Sequence, residues 1–128
     1  MDQPSRAEIA GLLQIWTETL KTLDPDKMAA LYAEDAVLLP TLSKEVRQSQ
    51  PAISDYFRHF LALKPRAEVL QQTIRSYAQV ATNSGIYKFF TEIEGAEHVV
   101  VARFTFVYRR DDDGWKIVDH HSSMLPDT

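Results

Sequence analysis

The chain contains no cysteine, which excludes disulfides, thiolate nucleophiles and cysteine-based zinc sites together, although it does not fix the compartment. Positive charge is also in short supply: 14 Lys and Arg stand against 18 Asp and Glu, for a formal net charge of −4. The basic residues are scattered, so no field exists to hold a phosphate backbone, and nucleic acid is not an expected partner. No apolar run approaches the roughly 20 residues that span a bilayer, so no membrane partner is expected. Met1 to Ala10 is polar and lacks the apolar core of a secretory signal, which makes a soluble, cytoplasmic protein the expectation. Internal repeats, low-complexity tracts and interdomain linkers are absent as well.

What remains is a chain of 128 residues, 45% hydrophobic and 10% aromatic, enough for one domain over residues 1–128 with one sizeable core. Ile9, Leu12, Leu13, Trp16, Leu20 and Leu23 recur at helical spacing and predict an amphipathic helix from about Ser5 to Leu23. Asp24 before Pro25 is an N-cap followed by a first-turn proline, so a short second helix is expected to carry Met28, Leu31 and Tyr32 on one side. Ala36 to Leu39 reads as a short buried strand halted by Pro40, and the polar stretch Thr41 to Gln50 as a loop or irregular edge over the mouth of a cavity. Pro51 opens a third helix with Ile53, Tyr56, Phe57, Phe60 and Leu61 on its apolar face, ended by Lys64-Pro65.

From Val69 the period changes to two. Strands are predicted near 68–81, 85–94, 97–110 and 114–124, separated by Asn83-Ser84-Gly85, Glu94-Gly95-Ala96 and Asp111-Asp112-Asp113-Gly114. Helices first and strands after give an α+β arrangement, with three helices packed on one face of a curved antiparallel sheet. In the strand over 97–110 one face carries Val100, Ala102, Phe104, Phe106 and Tyr108, and the other Val99, Val101, Arg103, Thr105 and Val107. A sheet that is apolar on both faces, with helices on only one, calls for a second copy of itself, a homodimer or a larger ring. Strands that curl enough to bury both faces within one subunit are the alternative.

Two motifs carry a family likeness: Leu31-Tyr32-Ala33-Glu34-Asp35-Ala36-Val37, and Gly114-Trp115-Lys116-Ile117-Val118-Asp119-His120-His121-Ser122-Ser123 at the end of the meander. Their order and spacing resemble the nuclear transport factor 2-like superfamily, which includes SnoaL-like cyclases and ketosteroid isomerases. Within it, Tyr108-Arg109-Arg110-Asp111, Trp115, Val118, His121 and Ser123 are similar to the end of the calcium/calmodulin-dependent protein kinase II association domain in its bacterial relatives. The resemblance implies a cone-shaped fold with a cavity between helices and sheet, and assembly into dimers or rings. No kinase catalytic segment is present, and no basic amphipathic helix invites calmodulin. Ketosteroid isomerases carry their aspartate base just after the strand of the first motif, where this chain reads Ala36-Val37-Leu38-Leu39-Pro40-Thr41. That departure argues against an isomerase of this kind.

Glu34 and Asp35 read as a solvated corner. Asp119 and His121 share one strand face and His120 takes the other, so His120 and His121 cannot enter one cavity together. With His59 and His98 they form no metal-ligand spacing, and neither metal nor cofactor is expected. Either His120 or His121 is a candidate acid/base for a SnoaL-like isomerase, cyclase or dehydratase; structural packing and pocket hydrogen bonding are the other roles open to them. Counting back through the last hairpin places Thr105 opposite His120 and Arg103 opposite Ser122, a polar island in which Arg103, among valines, should meet a carboxylate or an anionic ligand. Lys88 falls where the resemblance implies a basic residue near the cavity. Trp16, Tyr32, Tyr56 and Tyr87 can supply aromatic walls with hydroxyls that fix orientation. The expectation is a homodimeric domain binding a small polar-ended or anionic molecule at Trp16, Tyr32, Tyr56, Tyr87, Lys88, Arg103, Thr105 and His120. An oligomerisation module is the other reading.

Overall fold

Side-chain caps set the helix starts. Ser5 accepts from the Glu8 amide, Asp24 from the Asp26 and Lys27 amides, and Ser49 from the Ala52 amide, each satisfying donors that the first turn leaves free. In the computed structural model, which describes residues 3–127, these caps begin α1 (Arg6–Leu20), α2 (Pro25–Ala29) and α3 (Gln50–Leu61). The strands are β1 (Tyr32–Leu39), β2 (Arg66–Ser76), β3 (Val80–Ile93), β4 (Ala96–Asp111) and β5 (Gly114–Met124). Among the described residues no helix is long and apolar enough to cross a membrane.

The five strands form one sheet in the order β1-β5-β4-β3-β2, antiparallel except for the parallel pair β1–β5. The sheet curves round α1 and α3 into a cone-shaped α+β fold. Ile9, Leu13, Trp16 and Leu20 from α1 and Ile53, Phe57 and Phe60 from α3 are buried against the inner sheet face, where Tyr87, Phe89, Phe104, Phe106 and Tyr108 point. Among the described residues no layer covers the outer face. Ile86, Lys88, Phe90, Val99, Val101, Arg103 and Thr105 stand there, with Val99 53% exposed.

Four sequence expectations are corrected. The first helix ends at Leu20 rather than Leu23, because Leu23 adopts a left-handed backbone (φ 57°) at the turn into α2. The second helix ends at Ala29 and does not carry Tyr32. The Leu31 carbonyl accepts from the Ile117 amide at 3.0 Å, and Tyr32 pairs with β5, so strand hydrogen bonds override the helical spacing. The early strand accordingly begins at Tyr32 rather than Ala36. Finally, Asn83-Ser84-Gly85 is not a turn: the chain reverses at 77–79, closed by the Tyr77 amide on the Val80 carbonyl at 2.8 Å, and Asn83 is buried within β3, donating to Gln72 Oε1 at 2.9 Å.

Gly85 serves a different purpose. The pairing of β2 with β3 shifts between Val69 and Gln71, so Leu70 is an extra residue in β2, and β-bulges of this kind bend a sheet. At that bend a Cβ on residue 85 would lie 1.9 Å from the Gln71 carbonyl oxygen, so only glycine fits. The Gly85→Ala variant should therefore lose about 3 kcal/mol of stability in urea unfolding. Gly95→Ala, at a turn with φ 81° and open space around it, should lose only about 1 kcal/mol. Equal losses would show that the close approach does not constrain the sheet.

Candidate functional site

β5 carries the polar groups, and a second bulge decides where they point. Asp111 pairs with Gly114 and Tyr108 with Ile117, yet Val107 pairs with Asp119, so Val118 is an extra residue. A one-residue shift exchanges the two faces of a strand. Beyond the bulge Phe106 faces His120, Phe104 faces Ser122, Thr105 faces His121 and Arg103 faces Ser123. His120 and Ser122 thus enter the interior, where they are 2% and 6% exposed.

Inside, the His120 ring stacks on Phe106 with centroids 3.9 Å apart and meets the Trp16 ring edge-on at 5.5 Å. Its two nitrogens are both engaged: Nδ1 lies 2.8 Å from the Tyr32 hydroxyl and Nε2 3.1 Å from the Tyr87 hydroxyl. Trp16 Nε1 donates to the Tyr32 hydroxyl at 3.1 Å. The Tyr87 hydroxyl donates to Ser122 Oγ at 2.6 Å, and Ser122 Oγ is hydrogen-bonded to Thr41 Oγ1.

Two donors set the direction of the chain: the Trp16 indole, which can only donate, occupies the Tyr32 oxygen, and the Tyr87 hydroxyl donates to Ser122 Oγ. With its proton given to Ser122, Tyr87 can only accept from His120, so the histidine carries its proton on Nε2 and its bare Nδ1 accepts from Tyr32. Ser122, accepting from Tyr87, has Thr41 Oγ1 as the acceptor for its own proton. In this sense every donor from Trp16 to Ser122 has an acceptor.

Burial pushes the imidazole down from its ordinary value of 6.5 to about 3, with a smaller contribution from the nearby His121, so His120 is neutral. Burial drives the Tyr32, Tyr56 and Tyr87 hydroxyls well above the ordinary tyrosine value, so they too stay protonated. The chain can offer and accept hydrogen bonds, and it holds no group that exchanges a proton near neutral pH.

Between this chain and the apolar wall lies a cavity of about 10 Å³, room for one water, lined among others by Trp16, Leu38, Pro40, Phe57 and Phe89. Leu42 from the loop after β1, with Tyr56 and Phe60 from α3, separates it from an outer vestibule of 290 Å³ that also touches Arg47 and His59, and Thr41 lines the interior side. The Tyr56 hydroxyl donates to the Thr41 carbonyl at 3.1 Å, which pins that loop.

The broader depression at the other end of β1, 520 Å³, holds Asp35, Arg109 and Asp111. Its arginine is fully engaged, bidentate to Asp35 at 2.9 and 3.0 Å and bonded to Asp111 at 2.6 and 3.1 Å. The guanidinium holds both carboxyls below the usual carboxylate range. Asp35 therefore clasps β1 to β4 instead of standing as an unpaired corner. Among the described residues no group of three or more His, Asp or Glu converges as metal ligands.

With this geometry the comparisons can be placed. Residues 5–126 match the family model of the calcium/calmodulin dependent protein kinase II association domain. The chain belongs to that family. A structure assigned to the same association domain, from Xanthomonas campestris, is 40% identical, covering 100% of this chain and 97% of its own, with a TM-score of 0.92. A nuclear transport factor 2-like protein with a cystatin-like fold from Novosphingobium aromaticivorans shares the fold at 19% identity, TM-score 0.80, covering 96% and 83% of the two chains. So does a protein from Catenulispora acidiphila in complex with S-DNPA, at 15% identity, TM-score 0.79, covering 92% and 91%. No curated protein matches the chain.

In this association domain the residues anticipated from sequence divide by sheet face. Trp16, Tyr56, Tyr87 and His120 line the cavity. Tyr32 lies behind His120 as its hydrogen-bond partner and does not line the space. Lys88, Arg103 and Thr105 are on the outer face and cannot reach it: the Lys88 ammonium lies 5.2 Å from the centre of the Phe90 ring, and Arg103 and Thr105 are exposed. The polar island of Arg103, Thr105 and His120 is corrected by the Val118 bulge, and exposed Arg103 needs no buried partner. His121 is also on the outer face, opposite Thr105. Ser122, expected opposite Arg103, instead enters the site opposite Phe104, and its two-residue spacing from His120 keeps the two on one face wherever that face points; Thr41 completes the site without having been singled out for it.

Neutral His120 predicts a specific acid response. Unfolded histidine binds a proton below about 6.5 while folded His120 does so only near 3, so stability is full above pH 6.5 and falls as pH drops, by up to about 1.4 kcal/mol per pH unit. Losses from Asp35 and Asp111, whose folded carboxyls are depressed, begin only below the ordinary value of 3.8. Urea titrations between about pH 6.5 and 4.5 should therefore show a slope that His120→Asn removes. An identical slope in the variant would mean that His120 is not held neutral.

Proposed function

We propose that this association domain self-associates through its outer sheet face and holds a small polar-ended molecule in the interior of each protomer, without acid–base catalysis. Ligand binding is carried by one observation: the polar chain ends on Ser122 and Thr41 in an otherwise apolar, aromatic cavity next to a vestibule. Few placed polar groups on an apolar wall is the usual composition of a ligand site. The Catenulispora protein of similar fold was solved with a small molecule bound.

His120 argues for binding over turnover. A general acid or base works best with a pKa near the working pH, and His120 lies far below it while Tyr87 lies far above. His121 faces away from the cavity. Among the described residues no lysine or arginine lines the interior cavity, so the ligand's polar end is neutral and the anionic alternative loses its partner.

Self-association is supported by the family's own designation and by the uncovered face, where Phe90 pairs across to Val99 and Val101 accepts from the Leu125 amide at 2.9 Å. Val99 and Leu125 are 53% and 37% exposed there. Apolar side chains on the central strands of an open face favour a second sheet against them.

Native mass spectrometry under gentle conditions tests both parts. A dimer or higher ring that Val101→Glu converts to folded monomer, with unchanged far-ultraviolet circular dichroism, is expected. A small added mass that disappears in Ser122→Ala is expected with it. A monomeric parent protein would overturn the first part, and an adduct indifferent to Ser122 the second.

A further inference from the structure

We propose that Thr41 is an internal stand-in for the ligand, and that the molecule which displaces it is a small uncharged ring compound carrying a carbonyl or hydroxyl oxygen. The inference rests on the binding reading of the same cavity and goes on to name what enters it.

The direction of the polar chain gives the ligand's chemistry. Because Tyr87 donates to Ser122, the sequence of bonds runs outward from Trp16 and leaves the Ser122 proton for Thr41 Oγ1. Whatever replaces Thr41 must therefore present an acceptor, and an ammonium group cannot. A carboxylate accepts, yet at Ser122 it would leave water for an interior with no ionised side chain in its walls, and Arg47 in the vestibule is already paired with Asp55 and Glu45. A ketone, aldehyde, ether or hydroxyl oxygen meets both conditions. The remaining walls, with Trp16, Tyr56, Phe57, Phe60 and Phe89 among them, suit an apolar ring.

The loop shows how the ligand gains entry. Thr41 is latched at two points, its hydroxyl on Ser122 and its carbonyl under the Tyr56 hydroxyl. Leu42 follows with φ 69°, a backbone region that a leucine adopts only when its surroundings impose it, while its side chain is 54% exposed. Leu42, Tyr56 and Phe60 are the wall common to the interior and the 290 Å³ vestibule. Displacing Thr41 and Leu42 joins the two spaces into one of the size that small-molecule sites occupy, about 300 Å³ and upward. Closed, the domain keeps its chain satisfied by its own hydroxyl; open, the ligand's oxygen takes over the same bond.

The experiment compares acetophenone with ethylbenzene, which differ by the acceptor oxygen, using calorimetry or ligand-observed NMR on the full chain. Acetophenone should bind about five- to tenfold more tightly than ethylbenzene, the worth of one buried hydrogen bond. Ser122→Ala should abolish that preference. Thr41→Val, which keeps the shape and removes the latch, should tighten both compounds about fivefold, whereas Thr41→Ser should behave as the parent. Benzoate and benzylamine should bind to none of the four. Equal affinity for the two neutral compounds, or a preference that survives Ser122→Ala, would overturn the proposal while leaving a binding cavity in place. So would a Thr41→Val protein no tighter than the parent. No binding of either compound to any folded variant would overturn the binding reading and this proposal together. If Thr41→Val fails to fold, the Thr41→Ser and Ser122→Ala comparisons still decide the acceptor claim.

Discussion

One extra residue in β5 sets the chemistry of this domain. Were the last hairpin regular from the Asp111–Gly114 turn onward, His120 would share a face with Thr105 and Arg103 on the outside of the sheet. Val118 absorbs one position, and beyond it the histidine and Ser122 turn inward onto Phe106 and Phe104. The same bulge leaves Asp119, His121 and Ser123 on the outer surface. The hydrogen-bonded interior thus follows from one local irregularity.

A buried histidine is costly unless both nitrogens are paired and the ring stays neutral. Here Tyr32 and Tyr87 supply the partners, Trp16 orients Tyr32, and Phe106 fills the ring face. The residues come from α1, β1, β3, β4 and β5, so the chain draws the helix layer and both halves of the sheet to one point. Its free end lies on the part of the wall made by the loop after β1. A site built in this way positions an oxygen and discriminates by hydrogen bonding, in contrast to one that moves protons at neutral pH.

Much of the architecture was legible in the sequence because it depends on local rules. Asp24 caps α2 where the Asp-Pro pair says it should, and the periodicity of Ile9, Leu13, Trp16 and Leu20 names the covered face of α1. The motifs at both ends of the chain carried the family. What was not legible depended on pairing between distant strands. Asn83-Ser84-Gly85 has the composition of a turn, and only the approach of the Gln71 carbonyl, imposed by the bulge at Leu70, explains the glycine. Tyr32 fits a helical spacing, and its strand state comes from β5, more than 80 residues away in sequence. Counting through a hairpin put Arg103 on one face with His120 and cannot reveal a one-residue bulge, whereas likeness put Lys88 near the cavity and the regular pairing of β3 with β4 turns it outward.

The central claim is that His120 is a neutral relay with its proton on Nε2. Long-range proton–nitrogen correlation spectroscopy of the imidazole nitrogens, followed from about pH 8 to 5, measures this directly. The account predicts a single neutral tautomer, protonated at Nε2 and bare at Nδ1, with shifts that do not move across that range. A protonated ring, or a proton on Nδ1, would reverse the direction of the chain and contradict it.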